Sequence, residues 1–255
     1  MTPRITGSVG KLALNDGGTG PAVVFLHSLA GNSRQWAAQL EHVRKTRRAI
    51  GMDLRGHGRS EPPSDGQYRI EAQVADVDAV VDSLGLERFA LVGHSFGAGV
   101  ALEYAAARPA RVTHLVVADP IGDGTQTPEE EIQPFLEALD SPAYTETIEG
   151  YWSSIAGSDG GVLERLLADL RATPRETVVR GLHAVMAYDP KSALGRLRMP
   201  ALAVVTPAND FPYSMHKVGP GLPHRVIEGT GHWLQIERPA EFHRILDRFL
   251  AQKKG

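Results

Sequence analysis

The chain has 255 residues, 42% of them apolar and 22% charged, with a net charge of −3 and no cysteine. That length fits one large α/β domain, or one domain carrying an insertion. The charge gives no basic excess for nucleic-acid phosphates or an anionic membrane surface, and the missing cysteines exclude disulfides, thiolate metal sites and a cysteine nucleophile.

Met1 to Gly10 lacks an apolar segment, so no signal peptide is expected. No run of about 18 apolar residues follows, so a soluble, cytoplasmic protein is expected. Arg4 to Leu14 reads as a hairpin, with Asn15-Asp16-Gly17-Gly18 as a turn. Pro21 to Leu26 is a buried strand, and Asn32 or Ser33 caps a helix running through Trp36 and Leu40 towards Val43. Arg48 to Asp53 is the next strand, leading into the glycine-containing loop Asp53-Leu54-Arg55-Gly56-His57-Gly58-Arg59-Ser60. From Ile70 to Leu84, Val74, Val77, Val80, Val81 and Leu84 fall at helical spacing, with Glu71, Asp76, Asp78 and Asp82 as the solvated face and Gly85 as the stop.

Phe89 to Val92 is a short apolar strand, and Ala98 to Ala107 is an alanine-rich helix. Between them lies Gly93-His94-Ser95-Phe96-Gly97. A strand that turns at once into a helix needs a sharp corner, with glycines where backbones crowd and a strained, exposed serine at the apex. Val112 to Ala118 is a further strand, ending at Asp119-Pro120. From Gly122 to about Asp189 strand-like alternation stops. Helical patterns occur at Val162–Leu170 and Glu176–Ala187, after a break at Gly157 to Gly161. One crossover helix needs far fewer residues, so residues 121–190 are expected to form a helical cap inserted into a core made of 1–120 and 191–255. Strands resume at Met199–Thr206 and His224–Glu228. An amphipathic helix, Pro239 to Ala251, closes the fold, and Lys253-Lys254 reads as a solvated tail. Strands alternating with helices imply a mostly parallel sheet flanked by helices.

A serine hydroxyl needs a base, and the base needs an orienting acid; in such a sheet both belong beyond the carboxyl ends of strands. Gly229-Thr230-Gly231-His232-Trp233 follows the last strand. Of the ten histidines, His232 alone sits in a glycine-rich loop between the final strand and the final helix. The strand–Gly-x-Ser-x-Gly–helix unit, the Asp53–Ser60 run and the histidine loop together resemble the serine-hydrolase, esterase-like branch of the α/β-hydrolase superfamily. The resemblance covers nearly the whole chain outside the cap.

That resemblance implies Ser95 as nucleophile and His232 as base. It aligns Asp210 as the acid, although Pro207 stands where relatives carry glycine; Asp119, at the end of the strand after the elbow, is the other candidate. It implies an oxyanion hole made by the backbone N–H groups of Phe96 and Leu29. Relatives usually read His-Gly-x where this chain has His27-Ser28-Leu29, so Ser28 either tightens the loop or adds a donor. Ser28, His94, Tyr151, Trp152 and Met186 are candidate substrate-binding residues, and His57 reads as loop architecture. Ligand spacing for a metal is lacking around His27 and His94, and the glycine runs match no nucleotide motif, so no metal or cofactor is expected. Serine rather than aspartate at position 95 argues against dehalogenase or epoxide-hydrolase chemistry. The expected reaction is hydrolysis of a small carboxylic ester or lactone through an acyl-enzyme. The alternatives are carbon–carbon bond hydrolysis or lyase chemistry on a diketone-type substrate, and a weakly catalytic ligand receptor. Oligomeric state and substrate identity are open at this level.

Overall fold

The computed structural model describes residues 4–218 and 222–252; Lys253 and Lys254 lie outside them. The chain runs β1 Arg4–Thr6, β2 Lys11–Gly17, β3 Ala22–Leu26, α1 Ala37–Val43, β4 Arg48–Met52, α2 Val74–Ser83, β5 Phe89–His94, α3 Phe96–Ala107 and β6 Val112–Ala118. There follow α4 Glu129–Asp140, α5 Tyr144–Ile155, α6 Gly160–Ala172, α7 Arg175–Met186 and α8 Lys191–Gly195. The last elements are β7 Ala201–Val205, α9 Met215–Val218, β8 His224–Val226, α10 Leu234–Glu237 and α11 Pro239–Leu250. One eight-stranded sheet has the order β1-β2-β4-β3-β5-β6-β7-β8. β2 pairs antiparallel with β1 and β4, and every pairing from β4 to β8 is parallel.

Side chains on a strand alternate between faces, and the two cores follow that period. Val24, Leu26, Leu91, Leu115 and Val117 join one core with the valines of α2 and the small residues of α3. Val23, Phe25, Ala90, Val92 and Val116 face the other way, against Trp36, Leu40, Phe242, Leu246 and Phe249. The central strands are therefore buried on both sides, which is why they read as unbroken apolar runs.

Three local expectations change. The opening hairpin turns earlier, where Gly7 N–H donates to the Gly10 carbonyl. Asn15 to Gly17 are instead the end of β2, paired with Ile50 and its neighbours in β4. The antiparallel partner strand claims these residues before they can turn. Asp76 is not on a solvated face: it is buried, and its carboxylate accepts from Arg55 Nε at 2.6 Å and from the Ser8 hydroxyl. A buried guanidinium–carboxylate pair is strong in place, although its desolvation offsets much of the attraction.

Asn32 accepts from Arg34 N–H at 3.0 Å and caps the 3₁₀ turn Ser33–Trp36 that leads into α1. Asn32→Ala is expected to cost about 1 kcal/mol, read as a fall of about 2–4 °C in Tm. Among the described residues no helix is long and apolar enough to cross a membrane.

Candidate functional site

β5 ends at His94 and α3 starts at Phe96, so Ser95 alone makes the corner. Its backbone sits at φ 54, ψ −116, a region that side-chain-bearing residues avoid, at a cost of roughly 1–3 kcal/mol. The glycines on either side are required by contact. A Cβ on Gly97 would run into the carbonyls of His27 and Leu26, and one on Gly93 would run into the Gly97 carbonyl. The corner therefore packs directly on the end of β3, whose following loop carries Ser28 and Leu29. Ser95 also stands at the N-terminus of a twelve-residue helix, whose free N–H groups and dipole favour negative charge there.

His232 lies between β8 and α10. Its backbone N–H donates to the Ile155 carbonyl at 2.8 Å, and its carbonyl accepts from His94 Nε2–H at 2.8 Å. Gly231 admits no side chain, because a Cβ would collide with the backbone of Ala156 and Gly157. The imidazole Nδ1 is 2.6 Å from Asp119 Oδ2. With Nδ1–H donating to that carboxylate, Nε2 is left as the acceptor nitrogen.

Asp119 stands at the carboxyl end of β6, 3% exposed, with a positive φ of 35. Its Oδ1 accepts from Thr206 N–H at 2.8 Å and from the Thr206 hydroxyl at 3.1 Å. Both oxygens of the buried carboxylate are thus engaged, one with β7's end and one with the histidine.

Asp210 is not brought to the imidazole. After β7 the chain makes a 3₁₀ turn beginning at Pro207, and the inward residue of that turn is Asn209, whose Nδ2 donates to the Pro120 carbonyl. Asp210 faces out, with a side chain 66% exposed and 2.8 Å from Lys217 Nζ. That ammonium holds its carboxyl below the usual range. The physical reason is the register: proline in the glycine's place starts a tight turn that aims residue 209 inward and residue 210 at solvent.

Ser95, Asp119 and His232 line one cavity of about 500 Å³ with Ile121, Met186 and Phe211. A narrow cleft of about 50 Å³ joins Ser95 and His232 to Ser28, Leu29 and Phe96. Tyr151 and Met186 line both cavities, and the buried Trp152 lines the cleft. These three come from α5 and α7, so helices between β6 and β7 form one wall of the site.

His94 does not line either cavity. It is fully buried, and burial, followed by the nearby His232, drives its pKa well below the ordinary value. Neutral, it donates from Nε2 to His232 and accepts at Nδ1 from Gln235 Nε2 at 3.3 Å. His94 is two residues past Val92 on β5 and shares its face, against Trp36, which sends it behind the histidine loop rather than into the pocket. Ser28 lines the cleft, but its hydroxyl is committed: it donates to Gln35 Oε1 at 2.9 Å and accepts from Trp233 Nε1 at 3.3 Å. Of the two readings of Ser28, this geometry matches loop tightening. Ile121, Phe211 and Tyr213 line the larger cavity with no sequence signal beyond their apolar character.

Comparison with known proteins places these features in context. A family model described as the alpha/beta hydrolase fold matches residues 21–143. The 2-hydroxymuconate semialdehyde hydrolase of Pseudomonas putida is 30% identical, with 94% of this chain and 90% of that protein covered. The protein of the same name from Pseudomonas sp. strain CF600 is 28% identical over 94% of this chain and 90% of its own. Among solved structures, Est816, described as an N-acyl homoserine lactone degrading enzyme, superposes with a TM-score of 0.85. It is 27% identical, and the match covers 97% of this chain and all of that one.

Proposed function

This chain belongs to the α/β-hydrolase fold family, and from that premise we propose that it hydrolyses a small carboxylic ester or lactone through an acyl-enzyme on Ser95. Ser95 Oγ attacks the substrate carbonyl as its proton passes to His232 Nε2. Asp119 keeps the imidazole in the tautomer that leaves Nε2 free and stabilises the imidazolium that forms. The N–H groups of Phe96 and Leu29 hold the oxyanion; a donor of this kind typically accounts for about 3 kcal/mol. His232 gives its proton to the leaving alkoxide, then takes one from a water that attacks the acyl-enzyme and releases the acid.

The observation that carries this reading is the 2.6 Å contact between His232 Nδ1 and the buried carboxylate of Asp119, made in the cavity that the strained Ser95 also lines. Residues 121–190 are proposed to act as a cap over that cavity, with Tyr151, Trp152 and Met186 against the substrate.

A second reading, carbon–carbon bond hydrolysis of a diketone-type substrate, is favoured by the names of the two Pseudomonas relatives. The described residues lining the two cavities include no lysine or arginine, and a buried carboxylate on a substrate would call for one. That favours an uncharged substrate, whether ester, lactone or diketone.

A fluorophosphonate probe followed by peptide mass analysis tests the reading. The adduct is expected on Ser95, absent in Ser95→Ala, and p-nitrophenyl acetate turnover is expected to disappear with it. No adduct and no turnover would leave the fold as a ligand receptor. Turnover of a vinylogous diketone without ester turnover would select the second reading.

A further inference from the structure

We infer that Ser28 and Trp233 are positioning residues that join the oxyanion loop to the histidine loop, so that the Leu29 donor and the His232 base are set as one unit. The inference rests on the acyl-transfer reading above and goes beyond it, because relatives usually carry glycine at position 28, which has no hydroxyl to make the join.

The need for a brace is visible in the backbone. Ala30, one residue past Leu29, has a φ of 55. A non-glycine residue holds that conformation only when its surroundings impose it. A loop with such a residue relaxes unless it is tied, and any relaxation turns the Leu29 N–H, which is useful only while it points at the oxyanion.

The ties are all on the residue before Leu29. The Ser28 carbonyl accepts from His27 Nδ1–H at 2.7 Å and from Gly31 N–H at 3.1 Å. His27 Nε2 in turn accepts from Leu54 N–H at 2.9 Å, which anchors the loop to the end of β4. These bonds are local to the oxyanion side. Among the bonds of the described residues here, that of the Ser28 hydroxyl reaches across: it gives its hydrogen to Gln35 and receives the Trp233 indole hydrogen.

All the partners are buried. Ser28 is 2% exposed, Gln35 6% and Trp233 1%. Gln35 is itself confined, since a Cβ on Gly31 would collide with its amide. Water therefore does not substitute readily for a lost partner, and a hydrogen bond removed here is a polar group left unpaired.

Trp233 is the residue after the base, and His232 is held from behind by His94 and in front by Asp119. Fixing the indole fixes the end of the histidine loop. The route runs from Leu29 through Ser28 Oγ and the Trp233 ring to His232, with no step longer than a hydrogen bond or a peptide link.

The test is a double-mutant cycle with Ser28→Ala and Trp233→Phe, read on p-nitrophenyl ester kinetics and on inhibition by an alkylboronic acid, which takes up the tetrahedral form on Ser95. Each single variant is expected to lower kcat by about tenfold with KM within about twofold, and to weaken the boronic acid by the same factor as kcat. The double variant is expected to be no worse than about twofold below either single, because one join is lost once. Losses that multiply would overturn the join. So would variants whose Tm falls while kcat and boronic-acid affinity hold, since that is the mark of a merely structural bond. Ser28→Gly, the residue usual in relatives, gives the same readout without a new side chain. A wild type that neither turns over the ester nor takes the fluorophosphonate would overturn the acyl-transfer reading itself; a wild type that does both while the cycle is additive overturns only this inference.

Discussion

Asp119→Asn is expected to lower kcat by about 10⁴-fold, whereas Asp210→Asn is expected to keep kcat within about twofold of wild type, as exposed substitutions do. The size of the first effect follows from the hydrogen bonds on the other oxygen. Thr206 presents both its N–H and its hydroxyl to Asp119 Oδ1. In the amide variant these two donors select the carbonyl oxygen for that position. The NH₂ group is then forced towards His232 Nδ1, where the carboxylate oxygen had been. A donor facing Nδ1 pushes the ring proton to Nε2, and a protonated Nε2 cannot accept from Ser95. The variant keeps its shape and loses its base. The substrate contacts are untouched by the change of tautomer, so KM is expected to change little. Full activity in Asp119→Asn together with loss in Asp210→Asn would reverse the assignment. Thr206→Val offers an independent check: with one donor removed and the backbone N–H kept, a milder loss of kcat is expected.

The frame of this site was legible where chemistry and backbone constraint coincide. Gly93, Ser95 and Gly97 are read from sequence because a strand-to-helix corner admits few residues, and the collisions a Cβ would make at 93 and 97 are that constraint in atomic form. His232 is legible for a related reason, since Gly231 is demanded by the backbone of residues 156 and 157. The carboxylate that meets His232 was not legible at the level of one residue. Asp119 and Asp210 both follow strands, and choosing between them depends on whether a turn starting at proline aims residue 209 or residue 210 inward. Adjacency to Ser95 points to His94 as a pocket residue, but the period of β5 carries it to the Val92 face, against Trp36. The partners of Ser28 and of Asp76 were out of reach for a different cause. Trp233 is 205 positions from Ser28, and Ser8 is 68 from Asp76. Such pairings arise from how the sheet is wound, and no local pattern encodes them. The stretch between β6 and β7 is legible as helices and opaque as a surface, because which of Tyr151, Trp152 and Met186 faces the pocket depends on packing between helices.

Acidification is expected to weaken this fold before its carboxylates titrate, and the cause lies in three buried histidines. His27, His57 and His94 are all fully buried. Burial lowers the pKa of each, and His57, next to His27 as well, falls to about 3. The rings of His27 and His57 stand 5.2 Å apart, so a proton on either disfavours one on the other. In the unfolded chain these histidines titrate near 6.5. Above that pH both states are neutral there and stability is at its full value. Below it the unfolded chain binds protons that the folded chain refuses, and stability falls with every further drop until the folded pKa is reached. His57 alone is expected to remove about 1.4 kcal/mol for each pH unit between about 6.5 and about 3, and His27 and His94 act in the same direction. Against a total stability of roughly 5–15 kcal/mol, urea midpoints measured at pH 7.5, 6.5, 5.5 and 4.5 should fall slightly across the first pair and steeply across the rest. His57→Asn keeps a donor for the Arg55 carbonyl, which the ring's Nδ1–H now serves at 2.8 Å, and removes the titrating group. Its decline with pH should be shallower by one proton's worth. A midpoint unchanged from pH 7.5 to 4.5, or a slope that His57→Asn does not alter, would mean that the folded protein takes up these protons and that the buried histidines are not held neutral.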